Sequence, residues 1–275
     1  GVHITPVDEA GRGEALMRGL RRGIVDGTVV PVVCCSSITR VGLAKLLDNL
    51  IDLMPSPEGR VAEGTNPKTG EAEERVCAVD QPFSAQVFKT LADPFVGKLS
   101  ILKVMSGELT GDTQLYNVNA EKTEKAGTIY ILRGKKQTTT PKLIAGDIGA
   151  LAKLVSVNTG HTLADAANPI QYEMLHFPEP CISMAVYAKK SGEEDKVFSG
   201  LSRLMEEDPT IRVEKNVETT ESLLSGLGEM HLEVITKKLS SKFGAECVLQ
   251  DPKIPYRETI RKTLDCEGRH KKQTG

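Results

Sequence analysis

The hydrophobic period changes along this chain, and that change restricts its folds more than any single motif does. Over residues 73–165, apolar residues fall in short runs at 76–79, 85–88, 99–105, 128–132 and 148–157. Turn signals at Asp93-Pro94, Ser106-Gly107, Thr110-Gly111-Asp112, Gly146-Asp147 and Thr159-Gly160 separate them, the spacing of an all-β barrel or sandwich. Over 181–252 the order is strand 182–188, helix near 194–205, strand 210–217, strand 221–225, helix 228–243 and strand 245–249. That order is the split βαβ, ferredoxin-like arrangement. Val197, Leu201, Leu204 and Met205 share one face of the first helix, and Met230, Val234, Ile235 and Leu239 one face of the second. Each helix is therefore expected to cover one side of a four-stranded sheet. Asp208-Pro209 stops the first and Gly244 the second.

Proline, glycine and charge gather at 55–74 and at 168–180, which read as linkers. Ahead of them lie two helical patterns, one carrying Leu16, Met17, Leu20 and Ile24, the other Val41, Leu46, Leu47, Leu50, Ile51 and Met54, with one strand at 28–34 between. A strand with a single helix on either side has no sheet to join, so this piece reads as the end of a larger α/β domain.

With 39% hydrophobic and 26% charged residues, most of the chain is too apolar for intrinsic disorder. Its net charge of −2 supplies no global field towards nucleic acid, so any RNA contact is local. With no Trp, 5 Tyr and 6 Phe, it is poor material for stacking successive bases. Six cysteines spread over 275 residues read as reduced and cytosolic. Cys34 and Cys35 close the apolar run 29–33, and alternation there points their thiols to opposite faces as core or near-core residues. No basic segment precedes an apolar stretch at the N-terminus, and no apolar run approaches membrane-spanning length, so neither a membrane span nor secretion is expected and the location reads as cytoplasmic.

Three collinear blocks resemble elongation factor G of bacteria or a close paralogue. They are Asp93-Pro94-Phe95-Val96-Gly97-Lys98-Leu99 with Ser106-Gly107; Ser225-Gly226-Leu227-Gly228-Glu229-Met230-His231-Leu232-Glu233; and Pro255-Tyr256-Arg257-Glu258-Thr259-Ile260, running on to Gln273-Thr274-Gly275. The resemblance implies an internal fragment of multidomain α+β class: an all-β translation-factor barrel followed by a ferredoxin-like βαββαβ domain, with an α/β remnant of a GTP-binding domain at the N-terminus. Its divisions are that remnant at 1–58, a linker at 59–72, the domain II barrel at 73–165, a linker at 166–180, domain III at 181–252 and the first strands of domain IV at 253–275, expected to be poorly ordered or to borrow a neighbour. His161 stands where the family commonly has Asp, which suggests a paralogue.

A phosphate cradle needs a Gly-rich loop ending in Gly-Lys-Ser/Thr, and the two Gly-Lys pairs, Gly97-Lys98 and Gly134-Lys135, continue with Leu99 and Lys136. Asn-Lys-x-Asp is absent too, and Asp8 to Gly11 reads as a chance Asp-x-x-Gly. Of the family's guanine-binding elements only Cys35-Ser36-Ser37 remains, where Ser36 and Ser37 would steady the base in the whole factor, or else cap a helix starting near Thr39. No cofactor is expected in the fragment, with GTP and magnesium belonging to a parent GTPase; no catalytic residue and no metal site is expected here. The resemblance implies ribosome contact, with Lys98, Lys103, Arg133, Lys135 and Lys136 as candidates for ribosomal RNA, unless the first is part of a turn and the lysines are merely solvated. Glu229 and His231 stand two apart on a helix and point in different directions, so Gly226, Gly228, Glu229 and His231 read as a strand-to-helix turn and a candidate domain contact, and not as a catalytic pair. The parent implied is a translocation GTPase; a ribosomal-protection paralogue and a stand-alone ribosome-binding adaptor are the alternatives. The fragment is expected to be monomeric.

Overall fold

A computed structural model describes residues 9–93 and 96–269. The expectations that fall on 1–8, on Pro94 and Phe95, and on 270–275 lie outside the described residues. Helix α1 (Glu9–Val25) and helix α2 (Leu43–Leu53) open the chain. The strand expected at 28–34 is extended but joins no sheet among the described residues. Its first amides fold back instead, Thr28 and Val29 donating to the Gly23 carbonyl at 2.8 and 3.0 Å. Burial fails with the sheet: Cys34 and Cys35 are exposed, contrary to the core placement expected. Leu43, Leu47, Leu50 and Ile51 of α2 are exposed as well, and only Leu53 is buried. The helix expected near Thr39 begins later, at Leu43, because Gly42 immediately before it takes φ 78°.

The two segments expected as linkers are tied down. Strand β1 (Val61–Thr65) pairs antiparallel with β2 (Ala72–Val76), and Thr65 exchanges two backbone hydrogen bonds of 2.8 Å with Gln171. A buried hydroxyl chain completes the attachment. The Pro82 carbonyl only accepts, so Ser106 donates to it at 2.6 Å, Ser84 to Ser106 at 2.6 Å and Tyr172 to Ser84 at 2.7 Å.

The barrel follows: β3 (Ser84–Asp93), β4 (Gly97–Ser106), β5 (Glu108–Thr110), β6 (Gln114–Asn117), β7 (Lys122–Lys125), β8 (Ile129–Arg133), β9 (Lys136–Thr140), β10 (Lys142–Ile144), β11 (Ile148–Ala152) and β12 (Thr162–Ala164). Eight of these form one sheet in the order β7-β6-β12-β3-β4-β11-β8-β9, and β5 pairs separately with β10. Alternation sets the core. On β4, Leu102, Val104 and Ser106 are buried at every second position, and Leu102 and Val104 meet Val87, Leu115, Ile129, Leu151 and Leu163 from other strands. Asp93 pairs with Gly97, and its Oδ1 accepts the Val96 amide at 2.8 Å, closing the β3–β4 turn with Gly97 at φ 87°.

The third domain carries β13 (Ile182–Ala188), α3 (Glu194–Glu207), β14 (Arg212–Lys215), β15 (Ser222–Gly226), α4 (Glu229–Phe243) and β16 (Cys247–Gln250). Its antiparallel sheet runs β14-β15-β13-β16, the ferredoxin-like order. Both helices cover one face, through Val197, Leu201 and Leu204 of α3 and Leu232, Ile235 and Leu239 of α4. Met205 of α3 and Met230 and Val234 of α4, expected on the buried faces, are 36%, 81% and 47% exposed. The inward stripe of α4 starts at Leu232 because the turn before the helix sets its rotation. From 251 to 269 the backbone forms no helix or strand.

Truncating Leu201, which is wholly buried, to alanine should cost about 2–5 kcal/mol. Urea unfolding followed by circular dichroism tests this, and an unchanged midpoint would contradict the packing described.

Candidate functional site

The barrel and the third domain meet where the last turn of α3 reaches the end of β3. Successive helical residues point about 100° apart, and Glu206, Glu207 and Asp208 accordingly take three different sets of partners. The Glu207 side chain is 7% exposed and accepts Lys242 Nζ at 2.5 Å and Lys238 Nζ at 3.2 Å, both from α4. It also accepts the Ala92 amide of β3 at 3.2 Å. One carboxylate thus joins two helices of the third domain to a barrel strand. Glu206 lies 3.8 Å from Lys98 Nζ, which donates to Asn158 Oδ1 at 2.9 Å. Burial pushes the Glu207 carboxyl up, but the Lys242 and Lys238 ammoniums and the Ala92 amide outweigh it and hold the group below the usual carboxylate range.

Asp208 caps the same helix from the other side. Its Oδ1 accepts the Thr210 amide at 3.0 Å and hydroxyl at 2.5 Å, and its Oδ2 lies 3.1 Å from His231 Nε2. The Leu227 amide donates to His231 Nδ1 at 3.1 Å, so that nitrogen is the acceptor and Nε2 carries the proton towards Asp208. Burial raises the Asp208 carboxyl, and Thr210 with His231 lowers it further than burial raises it. His231 therefore clasps the α4 turn to the α3 cap inside one domain, and its hydrogen-bond partners, Leu227 and Asp208, both belong to that domain. Within this turn Gly226 is closely packed: an added Cβ would lie 2.8 Å from Leu232 Cδ2 and 3.1 Å from His231 Nδ1, and those side chains would have to shift. Gly228 is not: it is extended at φ 170°, with open space around its Cα. Glu229 is exposed in the first turn of α4, where the helix dipole favours it.

The basic residues singled out from the sequence divide into two kinds. Lys98, 15% exposed, is engaged in the junction, and Lys103 is half-buried beside a cavity of the barrel. Arg133, Lys135 and Lys136 stand exposed together at the β8–β9 hairpin, where Arg133 pairs with Lys136 and Gly134 takes φ 59° for the two-residue loop. Among the described residues none of the three forms an ion pair. Ser36 is half-buried and its Oγ accepts the Thr39 amide at 3.3 Å; Ser37 is exposed. With that hydroxyl engaged in its own turn and no phosphate cradle beside it among the described residues, Ser36 and Ser37 do not by themselves make a site for GTP and magnesium. Among the described residues no group of three His, Cys, Asp or Glu side chains is placed to hold a metal ion.

Residues 82–166 match the family model described as elongation factor G domain 2, and residues 177–251 that described as Elongation Factor G, domain III. This is an elongation factor G-like chain. A crystal structure of a protein from Thermus thermophilus superposes on it with a TM-score of 0.72 at 29% identity, covering 91% of this chain and 35% of that one. The chain thus spans about a third of the length of that protein. Among the described residues no helix is long and apolar enough to cross a membrane.

The junction is carried by residues that the sequence did not single out: Glu206, Glu207, Lys238 and Lys242. The available signal was the spacing of Lys238 and Lys242, one helical turn apart and able to grip a single carboxylate.

Because the folded pKa of Glu207 lies below its unfolded one, its contribution is full above the unfolded value, near ~4.3, and is lost as pH falls through the folded value. Glu207→Gln should cost about 1–3 kcal/mol at neutral pH and make the loss of stability below about pH 5 shallower than in the wild type. Calorimetric melting across that range decides it; parallel profiles would remove Glu207 from this role.

Proposed function

We propose that this chain forms the nucleotide-free middle of a translational GTPase of the elongation factor G type, whose whole protein uses GTP and magnesium to drive translocation on the ribosome. The observation that carries the reading is the Glu207 junction between two elongation factor G domains. A barrel and a ferredoxin-like domain pinned through one buried carboxylate turn together, as signal-transmitting rigid bodies require. On this reading residues 1–58 are the tail of the GTP-binding domain, residues 253–275 open a fourth domain, and the protein is a cytoplasmic monomer.

The ribosome is contacted by the Arg133, Lys135 and Lys136 hairpin, three exposed cations placed for phosphates. Phosphate contacts position a protein without reading sequence, which suits a surface carrying no aromatic platform. Charge reversal of all three residues should weaken binding of the chain to small-subunit ribosomal RNA. It should also flatten the salt dependence by about two to three units of log–log slope, as measured by filter binding at several salt concentrations. An unchanged slope would sink the contact. Titration calorimetry with GTP or GDP should give no heat at micromolar concentrations, and saturable binding would overturn the nucleotide-free reading.

A further inference from the structure

The hairpin of β1 and β2 leaves most of one edge of β1 without a partner among the described residues. Ala62 and Gly64 face β2, in register with Arg75 and Glu73, since Arg60 and Asn66 on either side make the cross-hairpin bonds to Cys77 and Glu71. Val61, Glu63 and Thr65 therefore turn their N–H and C=O groups to the other side. Among the described residues only Thr65 finds a backbone partner there, Gln171. Continuing that ladder would set Glu63 opposite Glu173 and Val61 opposite Leu175, and two obstacles stop it. The facing carboxylates repel, and the Glu173 carbonyl is already taken by Gln86 Nε2 at 2.8 Å. Beside the open edge lie two cavities, one of about 190 Å³ lined by Arg60 and one of about 460 Å³ lined by Glu173, which share Ala62 and Met105 and adjoin as a groove. Its floor is Ala62, Met105, Tyr172 and Met174. Arg60 and Lys103 stand at the Val61 end, and among the described residues neither forms an ion pair; Glu63 and Glu173 stand at the other.

We propose that this edge is a docking site for an extended peptide that adds a strand antiparallel to β1, with acidic residues at its C-terminal end. The orientation follows from charge. A strand antiparallel to β1 ends beside Val61, where Arg60 and Lys103 meet its acidic residues, and begins beside Glu63 and Glu173, which favour a basic or neutral start. Backbone bonds to Val61 and Glu63 supply affinity, and alternate side chains reach the apolar floor. An open edge of this kind is a ready template for another chain.

The test is fluorescence anisotropy of the 275-residue chain with three labelled hexapeptides of alternating valine and threonine: one ending in two glutamates, one beginning with them, and one ending in two lysines. The first should bind saturably and at least tenfold more tightly than the others. Glu63→Pro removes an outward N–H without touching the ladder to β2, and it should weaken that binding at least tenfold, as should charge reversal of Arg60 and Lys103 together. If Glu63→Pro does not fold, the wild type still decides: the acid-ended peptide should slow hydrogen exchange at the Val61 and Glu63 amides. No saturable binding up to about 1 mM, equal binding of all three peptides, or binding indifferent to these changes would overturn the proposal. So would occupation of the groove by a uridine oligonucleotide or by a second copy of the chain, seen as a rise in anisotropy or sedimentation rate that Glu63→Pro abolishes.

Discussion

A buried carboxylate costs free energy unless its lone pairs are filled, and Glu207 fills its own from both sides of a domain boundary. Its donors are two lysines of one helix and a strand amide of the barrel. The barrel core and the third-domain core are separate apolar clusters among the described residues, so no continuous apolar core joins the two domains there. Domain pairs joined that way are free to move by default. What opposes the motion here is desolvation: swinging the domains apart breaks the Ala92 hydrogen bond and brings water to a buried carboxylate. Orientation is thus set by a few polar contacts that a change in neighbouring domains is able to make or break, which is what a transmitted signal needs.

The hydrophobic period was enough to read both folds. Alternation over 99–105 became β4, with Leu102 and Val104 inside, and the order of elements over 181–252 became the sheet β14-β15-β13-β16. Periodicity works there because each element buries one face against its own domain. It fails where burial depends on something distant. Cys34 and Cys35 sit in a run apolar enough for a core strand, yet without a sheet they are exposed. Met230 and Val234 match the helical spacing of Ile235 and Leu239, but the clasp of His231 on Leu227 and Asp208 fixes the rotation of α4 and leaves them outside. The supposed linkers failed the same way, since composition reports turn-forming residues and says nothing of the Thr65–Gln171 pairing or the Tyr172 hydroxyl chain.

The junction was illegible for a related reason. Glu206, Glu207 and Asp208 read as the polar end of an amphipathic helix, and only the third had a visible duty, as part of a stop signal. Their partners lie at Ala92, Lys98, Lys238 and Thr210, and the longer of these separations are encoded by no local pattern. Conversely, Gly226 to His231 carries a motif's appearance without reactive chemistry. Its histidine engages one nitrogen with a neighbouring amide and the other with a helix cap, which is architecture and leaves no lone pair for a substrate.

Pairing also decides which cations face outward. In a chain of near-neutral charge, each lysine committed to the interior is one withdrawn from any nucleic-acid surface. Lys98 is held between Asn158 and Glu206, and its positive charge, after burial, helps keep His161 below its ordinary pKa. His161 Nδ1 in turn lies near the Asn117 amide and accepts the Asn158 amide, bracing the loop that presents Asn158 to Lys98. Those groups stabilise one another across the barrel's junction end and leave no charge over. The β8–β9 hairpin does the reverse. Its turn holds Arg133, Lys135 and Lys136 clear of every carboxylate within ion-pair reach among the described residues, so their charge stays available to phosphates. Burial and pairing at Lys98, and exposure without pairing at the β8–β9 hairpin, give a nearly neutral chain a locally basic surface.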